Sequence, residues 1–213
     1  MKSFVITIKD NPKSVKSAER CIESGKKVGC AIRMFDAVTP NDDPELLFLR
    51  EDLPIDGMRE QYSRFQNCAA AFFSHYSLWK KCTQLREPIT IFEHDAVVKD
   101  SIPKVNFKYV MNIGHPSYGK YKTPSTLGVN PLTSKRYMPG AHAYMITPEG
   151  ANLLINHARR NARPTDVFMH MDNMPWLQEY YPWPVVADDS FTTIQRELGT
   201  TAKHNKVEII DAV

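Results

Sequence analysis

Pro88-Ile89-Thr90-Ile91-Phe92-Glu93-His94-Asp95 is the stretch on which the fold turns. The proline closes the segment before it, and Ile89 to Phe92 is a short apolar, β-branched run that reads as a buried strand. Two carboxylates bracketing a histidine follow at once. In open α/β sheets, ligands sit outside the carboxyl ends of the strands. A hard cation such as Mg²⁺ or Mn²⁺ takes oxygen ligands, commonly one or two carboxylates plus substrate phosphates. Alternating side chains just past the strand point Glu93 and Asp95 the same way. The plain alternative is a strand that ends, as many do, in a charged loop.

Working outward, Gln66 to Leu85 predicts a helix, with Ala69, Phe72, Phe73, Tyr76 and Trp79 on one face. At the start of the chain, Phe4 to Ile8 reads as a buried strand. Asn11-Pro12 then supplies an N-cap and an N1 proline, Val15, Ala18 and Ile22 recur at helical spacing, and Gly25 marks the stop. Ala31 to Phe35 is a second strand, so the opening is the strand-helix-strand unit of a parallel sheet. Residues 36–65 read as a long loop with one short helical turn near Glu45 to Arg50. Downstream, Lys108 to Ile113 and His142 to Ile146 read as strands. Thr147-Pro148-Glu149 opens a helix carrying Leu154, Ile155 and Ala158 inward, and Pro184 to Ala187 is a last short strand. Gly114 to Pro139 is a Gly/Pro/Ser/Thr/Tyr-rich segment. Its Tyr118, Tyr121 and Tyr137 suit either a mobile loop or a surface that stacks on sugars.

Composition excludes several classes. The 213 residues suffice for one α/β domain with a sizeable core, and 42% hydrophobic with 24% charged residues is ordinary for a globular protein. The net charge of +3 is scattered, with basic pairs in place of tracts, so nucleic acid is not the expected partner. Such a balance still suits a diphosphate-bearing substrate. Cys21, Cys30, Cys68 and Cys82 form no zinc pattern. Cys68 and Cys82 flank the helix and lie roughly 20 Å apart along it, so reduced, buried thiols in a reducing cytoplasm are expected. No apolar stretch has membrane-spanning length, and a place at a membrane surface would come through partners.

Two further groups could carry chemistry. His75 falls at the edge of the helix's apolar face one turn before Trp79, where a histidine is a helix-flank residue, a hydrogen-bonded core residue, or part of a site. Asp166, His170 and Asp172 concentrate acid and imidazole in seven residues, either as a solvated turn or as a place for a catalytic base and an additional metal ligand. Glycine-rich phosphate loops are absent, as are GxSxG and HExxH. A bound diphosphate would therefore need a metal to neutralise it.

Four segments, in order, resemble glycosyltransferase family 25. They are Met34-Phe35-Asp36-Ala37-Val38-Thr39-Pro40 after the Arg20-bearing helix; Cys68 to Trp79 with its Ser74-His75 pair; Ile89 to Asp95; and Gly140 to Ala151, followed by Pro164-Thr165-Asp166. The resemblance covers most of the chain to about residue 170. It implies a single GT-A-type, Rossmann-like domain over 1–213 with a mostly parallel central sheet. The nucleotide-binding part would span about 1–100, the acceptor and catalytic part about 101–190, and a short tail the rest. It further implies a UDP-sugar donor, a glycan or glycoconjugate acceptor, Mn²⁺ or Mg²⁺, and transfer of a hexose with inversion. Carried onto this chain, Asp36, Ser74, His75 and Glu93 would meet the donor. Asp95 and Glu93, with His170, would hold the metal, and Asp166 would be the base. Two departures stand out: His94 replaces an aspartate of the family's acidic triplet, and Ala69 to Ala71 replace a glycine-bearing stretch. A catalytically inactive nucleotide- or glycan-binding module and a nucleotidyltransferase remain alternatives.

Overall fold

The computed structural model describes residues 1–59, 63–117, 119–138, 141–188 and 193–194. Tyr118 and Gly140, both singled out above, lie outside the described residues. The strands are β1 (Lys2–Thr7), β2 (Ile32–Asp36), β3 (Ile89–Glu93), β4 (Ala96–Val98), β5 (Val110–Asn112), β6 (Gly128–Pro131), β7 (Ala143–Ile146), β8 (Gln178–Tyr181) and β9 (Val185–Ala187). The helices are α1 (Pro12–Lys27), α2 (Pro44–Arg50), α3 (Phe65–Leu85), α4 (Pro148–Asn161) and α5 (Thr165–Phe168).

Seven strands form one sheet in the order β2-β1-β3-β7-β5-β8-β6, and β4 pairs with β9 in a separate ribbon. Pairing is parallel for β2-β1, β1-β3 and β5-β8, and antiparallel at β3-β7, β7-β5 and β8-β6. Five strands therefore run one way, with β7 and β6 reversed. This is the mostly parallel α/β sheet expected.

Alternation along the strands explains the layers. Phe4, Ile6, Ile89, Ile91, Tyr144 and Ile146 pack on α3 and α4, while Val5, Phe92, Ala143 and Met145 pack on Ala18 and Cys21 of α1. Both faces are covered, which is why β1 and β3 read as continuous apolar runs. The Asn11 side chain caps α1, accepting from Lys13 N at 3.0 Å and Ser14 N at 3.3 Å.

Gly25 does not stop α1, which continues to Lys27. It makes room: a Cβ there would lie 2.6 Å from Ile32 Cδ1 and 3.0 Å from the Cys30 carbonyl. The helical turn expected near Glu45 to Arg50 is α2, whose Phe48 is in the core, and the rest of that segment, expected as loop, adds 3₁₀ turns at Pro40–Asp42 and Asp56–Met58. Cys68 and Cys82 both lie within α3 and do not flank it, and all four cysteines are free thiols. Strands β4, β6 and β8 were not legible. Gly128-Val129-Asn130-Pro131 carries turn residues and sits at the sheet edge, where proline is tolerated. Gln178-Glu179-Tyr180-Tyr181 looks polar, yet Glu179 is fully buried and its carboxylate accepts from Thr133 N (2.6 Å) and Ser134 N (2.9 Å).

Gly150 in the first turn of α4 faces backbone. A Cβ there would lie 2.2 Å from the Tyr109 carbonyl oxygen, the same atom that accepts from Thr147 N. Gly150→Ala should destabilise the protein by about 2 kcal/mol despite alanine's better helix propensity, because the clash is with backbone. Thermal melting should show a drop of roughly 4–8 °C; an unchanged midpoint would mean that the helix start can shift freely.

His157 of α4 packs against Phe168 with ring centroids 5.4 Å apart. Burial, and then Arg160, lower its pKa below the usual imidazole value. The unfolded chain therefore binds a proton that the folded chain resists, so this contribution to stability is complete above about pH 6.5 and is lost as pH falls below it. A melting series from pH 7.5 to 5 should slope downward, and His157→Gln should flatten the slope; an identical slope in the variant would contradict the assignment.

Candidate active site

The carboxyl ends of β2, β1 and β3 lie side by side. Asp36 is level with Thr7, and Glu93 is level with Ile6, so Asp36 and Glu93 flank the end of β1 at about two strand spacings, roughly 10 Å. Asp36 is 71% exposed with Lys9 Nζ at 3.7 Å. Ser14, in the first turn of α1, closes this edge from one side by accepting from Ile8 N at 2.9 Å.

Glu93 faces the α3 side of the sheet. Its Oε1 lies 3.0 Å from His75 Nε2, His75 Nδ1 lies 2.9 Å from Tyr144 Oη, and the Trp79 indole N–H donates to the same Tyr144 oxygen at 2.8 Å. Helical spacing stacks His75 one turn before Trp79, and β7, antiparallel to β3, delivers Tyr144 opposite Ile91. His75, Trp79 and Tyr144 are buried, whereas the Glu93 side chain remains 33% exposed. Burial works to raise the Glu93 pKa, but the hydrogen bond from His75 leads the opposing causes, and the net direction is below the usual carboxylate value. The site thus presents an anion at neutral pH. Of the readings the sequence left for His75, the hydrogen-bonded core residue holds: it is a buried member of this chain of hydrogen bonds.

His94 points to the opposite face. Its Nδ1 lies 3.1 Å from Ser14 Oγ. Because Ser14 Oγ accepts from Ile8 N, its own hydrogen is available to His94 Nδ1. Burial and Arg20 lower the His94 pKa, with Glu93 opposing, so a neutral ring is favoured.

The expectation that Glu93 and Asp95 point the same way is corrected. β3 ends at Glu93, and His94-Asp95 form a turn before β4, so the two-residue period stops there. Asp95 acts on the α1 side, where its charge, after burial, contributes to raising the Cys21 thiol pKa to about 12. Its carbonyl accepts from Asp188 N at 2.9 Å, and Asp188 pairs with Arg20.

The other expected residues are placed as follows. Ser74 is buried, and its Oγ accepts from Val38 N (2.9 Å) and donates to the Ala70 carbonyl (2.9 Å), tethering the segment after β2 to α3. Asp166 lies on α5 with Oδ1 accepting from Val167 N at 2.9 Å. His170 pairs by backbone with Tyr137, and its Nδ1 accepts from Asp172 N at 3.2 Å, while Asp172 bonds Arg136 at 2.6 Å. Among the described residues no three His, Cys, Asp or Glu side chains are gathered as a metal-binding group, so His170 is not brought together with Glu93 and Asp95. Sequence reasoning missed His142, Ser14 and Asp188 as neighbours of the site. The signal for His142 was a polar residue alternating with Tyr144 in an otherwise apolar strand.

The anionic carboxylate stands at the carboxyl edge of the parallel strands, where open α/β sheets bind their ligands. The family model for glycosyltransferase family 25 (LPS biosynthesis protein) matches residues 1–120, over half of the chain, and the chain belongs to that family; it is a glycosyltransferase. Among solved structures, it is similar to mouse xyloside xylosyltransferase 1 in its apo form, at 12% identity and TM-score 0.43 over 83% of each chain. It is also similar to the apo glycosyltransferase GlyE of Streptococcus pneumoniae TIGR4, at 10% identity and TM-score 0.36 over 73% of this chain and 36% of that one. A third is the CTP:phosphocholine cytidylyltransferase LicC of Streptococcus pneumoniae, at 10% identity and TM-score 0.38 over 99% and 98%. No curated protein matches. No helix among the described residues is long and apolar enough to cross a membrane.

Proposed function

We propose that the chain transfers a hexose, galactose or glucose, from a UDP-sugar to a hydroxyl of a glycan or glycoconjugate, with inversion and with Mn²⁺ or Mg²⁺. The observation that carries this reading is the anionic Glu93, locked by His75 at the carboxyl edge of β3 and open to solvent. An ionised carboxylate there accepts from hydroxyls of a nucleotide sugar; Asp36 lies across β1 at the same edge but, by strand alternation, on the α1 face. The description of the family as LPS biosynthesis protein supports a lipopolysaccharide-type glycan as the acceptor class.

The donor set fits a cation shared with the substrate and does not fit a closed protein cage. Glu93 Oε1 is committed to His75, Asp95 lies on the other side, and no three ligating side chains are gathered among the described residues. One carboxylate plus substrate phosphates is a normal arrangement for a hard cation. Asp95 is the carboxylate assigned to it; when bound, the cation would supply positive charge to the leaving diphosphate. In the step itself, the acceptor hydroxyl oxygen attacks the anomeric carbon, its proton passes to the Asp166 carboxylate, and the bond from carbon to phosphate oxygen breaks with its electron pair leaving on UDP.

The assay is release of UDP from UDP-galactose and UDP-glucose with a glycan acceptor and Mn²⁺. Asp166→Asn should lower kcat by about 10²–10⁴-fold, the usual yield of a general base, with UDP affinity unchanged. Wild-type turnover in this variant would remove Asp166 from the role. One observation favours a second reading: His94 is held neutral against Ser14 where the family pattern carries an acid. UDP binding without turnover on any donor would select an inactive binding module.

A further inference from the structure

The hydrogens of the buried chain beneath Glu93 can be assigned by counting donors. An indole nitrogen only donates, so Trp79 occupies a lone pair of Tyr144 Oη at 2.8 Å. Burial pushes the Tyr144 pKa well above the usual phenol value, so the hydroxyl keeps its proton. His75 Nδ1, 2.9 Å away, is the acceptor within reach of that proton. With Tyr144 donating to it, Nδ1 carries a lone pair, and the hydrogen of the neutral ring resides on Nε2, facing Glu93 Oε1 at 3.0 Å. The opposite tautomer would set a nitrogen lone pair against a carboxylate oxygen and take the acceptor away from the phenol. Either fault is costly in a buried site. Trp79 and Tyr144 are fully buried, so water does not substitute for these partners.

We propose that Tyr144 and Trp79 are positioning residues that lock His75 in its Nε2–H tautomer, so that His75 holds Glu93 Oε1 and Glu93 turns its other oxygen to a hydroxyl of the nucleotide-sugar donor. The donor end of this inference rests on the proposed function; the tautomer does not. Trp79 and Tyr144, 65 residues apart in the chain, thereby act on the donor without touching it, Tyr144 through two intervening groups and Trp79 through three.

The test is ¹⁵N NMR of the histidine rings at pH 7.5 in the substrate-free protein, with the His75 signals assigned by their loss in His75→Gln. The wild type should show His75 as Nε2–H alone. Tyr144→Phe should populate both tautomers, and so should Trp79→Phe, which keeps the ring bulk and removes the N–H; the second variant serves if the first does not fold. A wild-type Nδ1–H ring, a doubly protonated ring, or a ring unmoved by either substitution would overturn the proposal. In kinetics, Tyr144→Phe should raise the donor KM roughly tenfold, on the scale of one hydrogen bond to a charged group, with a smaller change in kcat. His75→Gln, whose amide still donates to Glu93, should retain more donor affinity than His75→Leu; equal losses would also count against it. The tautomer is read without substrate, so failure of the relay and failure of UDP binding are separate results.

Discussion

Trp79→Ala is expected to be the most destabilising single substitution described for this chain, at about 3–5 kcal/mol. Trp79 is fully buried, with ring centroids 5.6 Å from both Phe72 and Phe168 and 6.1 Å from Tyr76. Truncation opens a cavity where α3 meets α5 and deprives Tyr144 of its N–H donor. The midpoint of thermal unfolding should fall by roughly 8–15 °C for a protein of this size. Trp79→Phe should recover most of that loss, because it refills the cavity. If Trp79→Ala melted within about 3 °C of wild type, on the same stability scale, the packing account of α3 would be wrong.

Glu93→Gln is expected to have the larger functional effect. The substitution preserves shape and leaves an acceptor for His75 Nε2–H, so the fold should survive with only a small shift in melting. The anion is lost, and hydrogen bonds to charged groups are worth about 1.5–3 kcal/mol. The kcat/KM for the sugar donor should therefore fall roughly 10- to 150-fold. Wild-type kinetics in Glu93→Gln would show that the donor does not meet this carboxylate. The lowered Glu93 pKa also has a stability consequence. Its contribution is present above the unfolded carboxyl value of about 4.3 and is lost as pH falls below it through the lower folded value.

The elements that can be read from the sequence are those whose residues meet one environment. Phe4 to Ile6 and Ile89 to Phe92 are buried on both faces, so their apolar runs announce strands, and Asn11-Pro12 announces α1 through its cap. β8 is illegible because its decisive residue is an acid: Glu179 is buried only because the 133–134 turn supplies backbone donors, a fact of tertiary structure. The site divides in the same way. Glu93 at the end of β3 follows from strand and register. The divergence of Asp95 does not, because period-two reasoning fails at the first turn residue. His75 reads as a flank or a hydrogen-bonded core residue, and the choice is made only when Tyr144, 69 positions later, arrives to bond it. Trp79 reads as core and is core, yet its N–H is committed to the same chain of hydrogen bonds.

The proposed site brings a sugar nucleotide's diphosphate and a divalent cation together at the carboxyl edge of β3. Thermal melting of wild type and Asp95→Ala, with UDP, with Mn²⁺, and with both, tests it most directly. A ligand at a hundred times its Kd adds about 2.7 kcal/mol of stability, a rise of roughly 5–10 °C for a chain of this length. That rise is expected in wild type only when UDP and Mn²⁺ are both present, and it should be lost in Asp95→Ala. Equal stabilisation of the variant, or no response of the wild type to UDP with Mn²⁺, would contradict it.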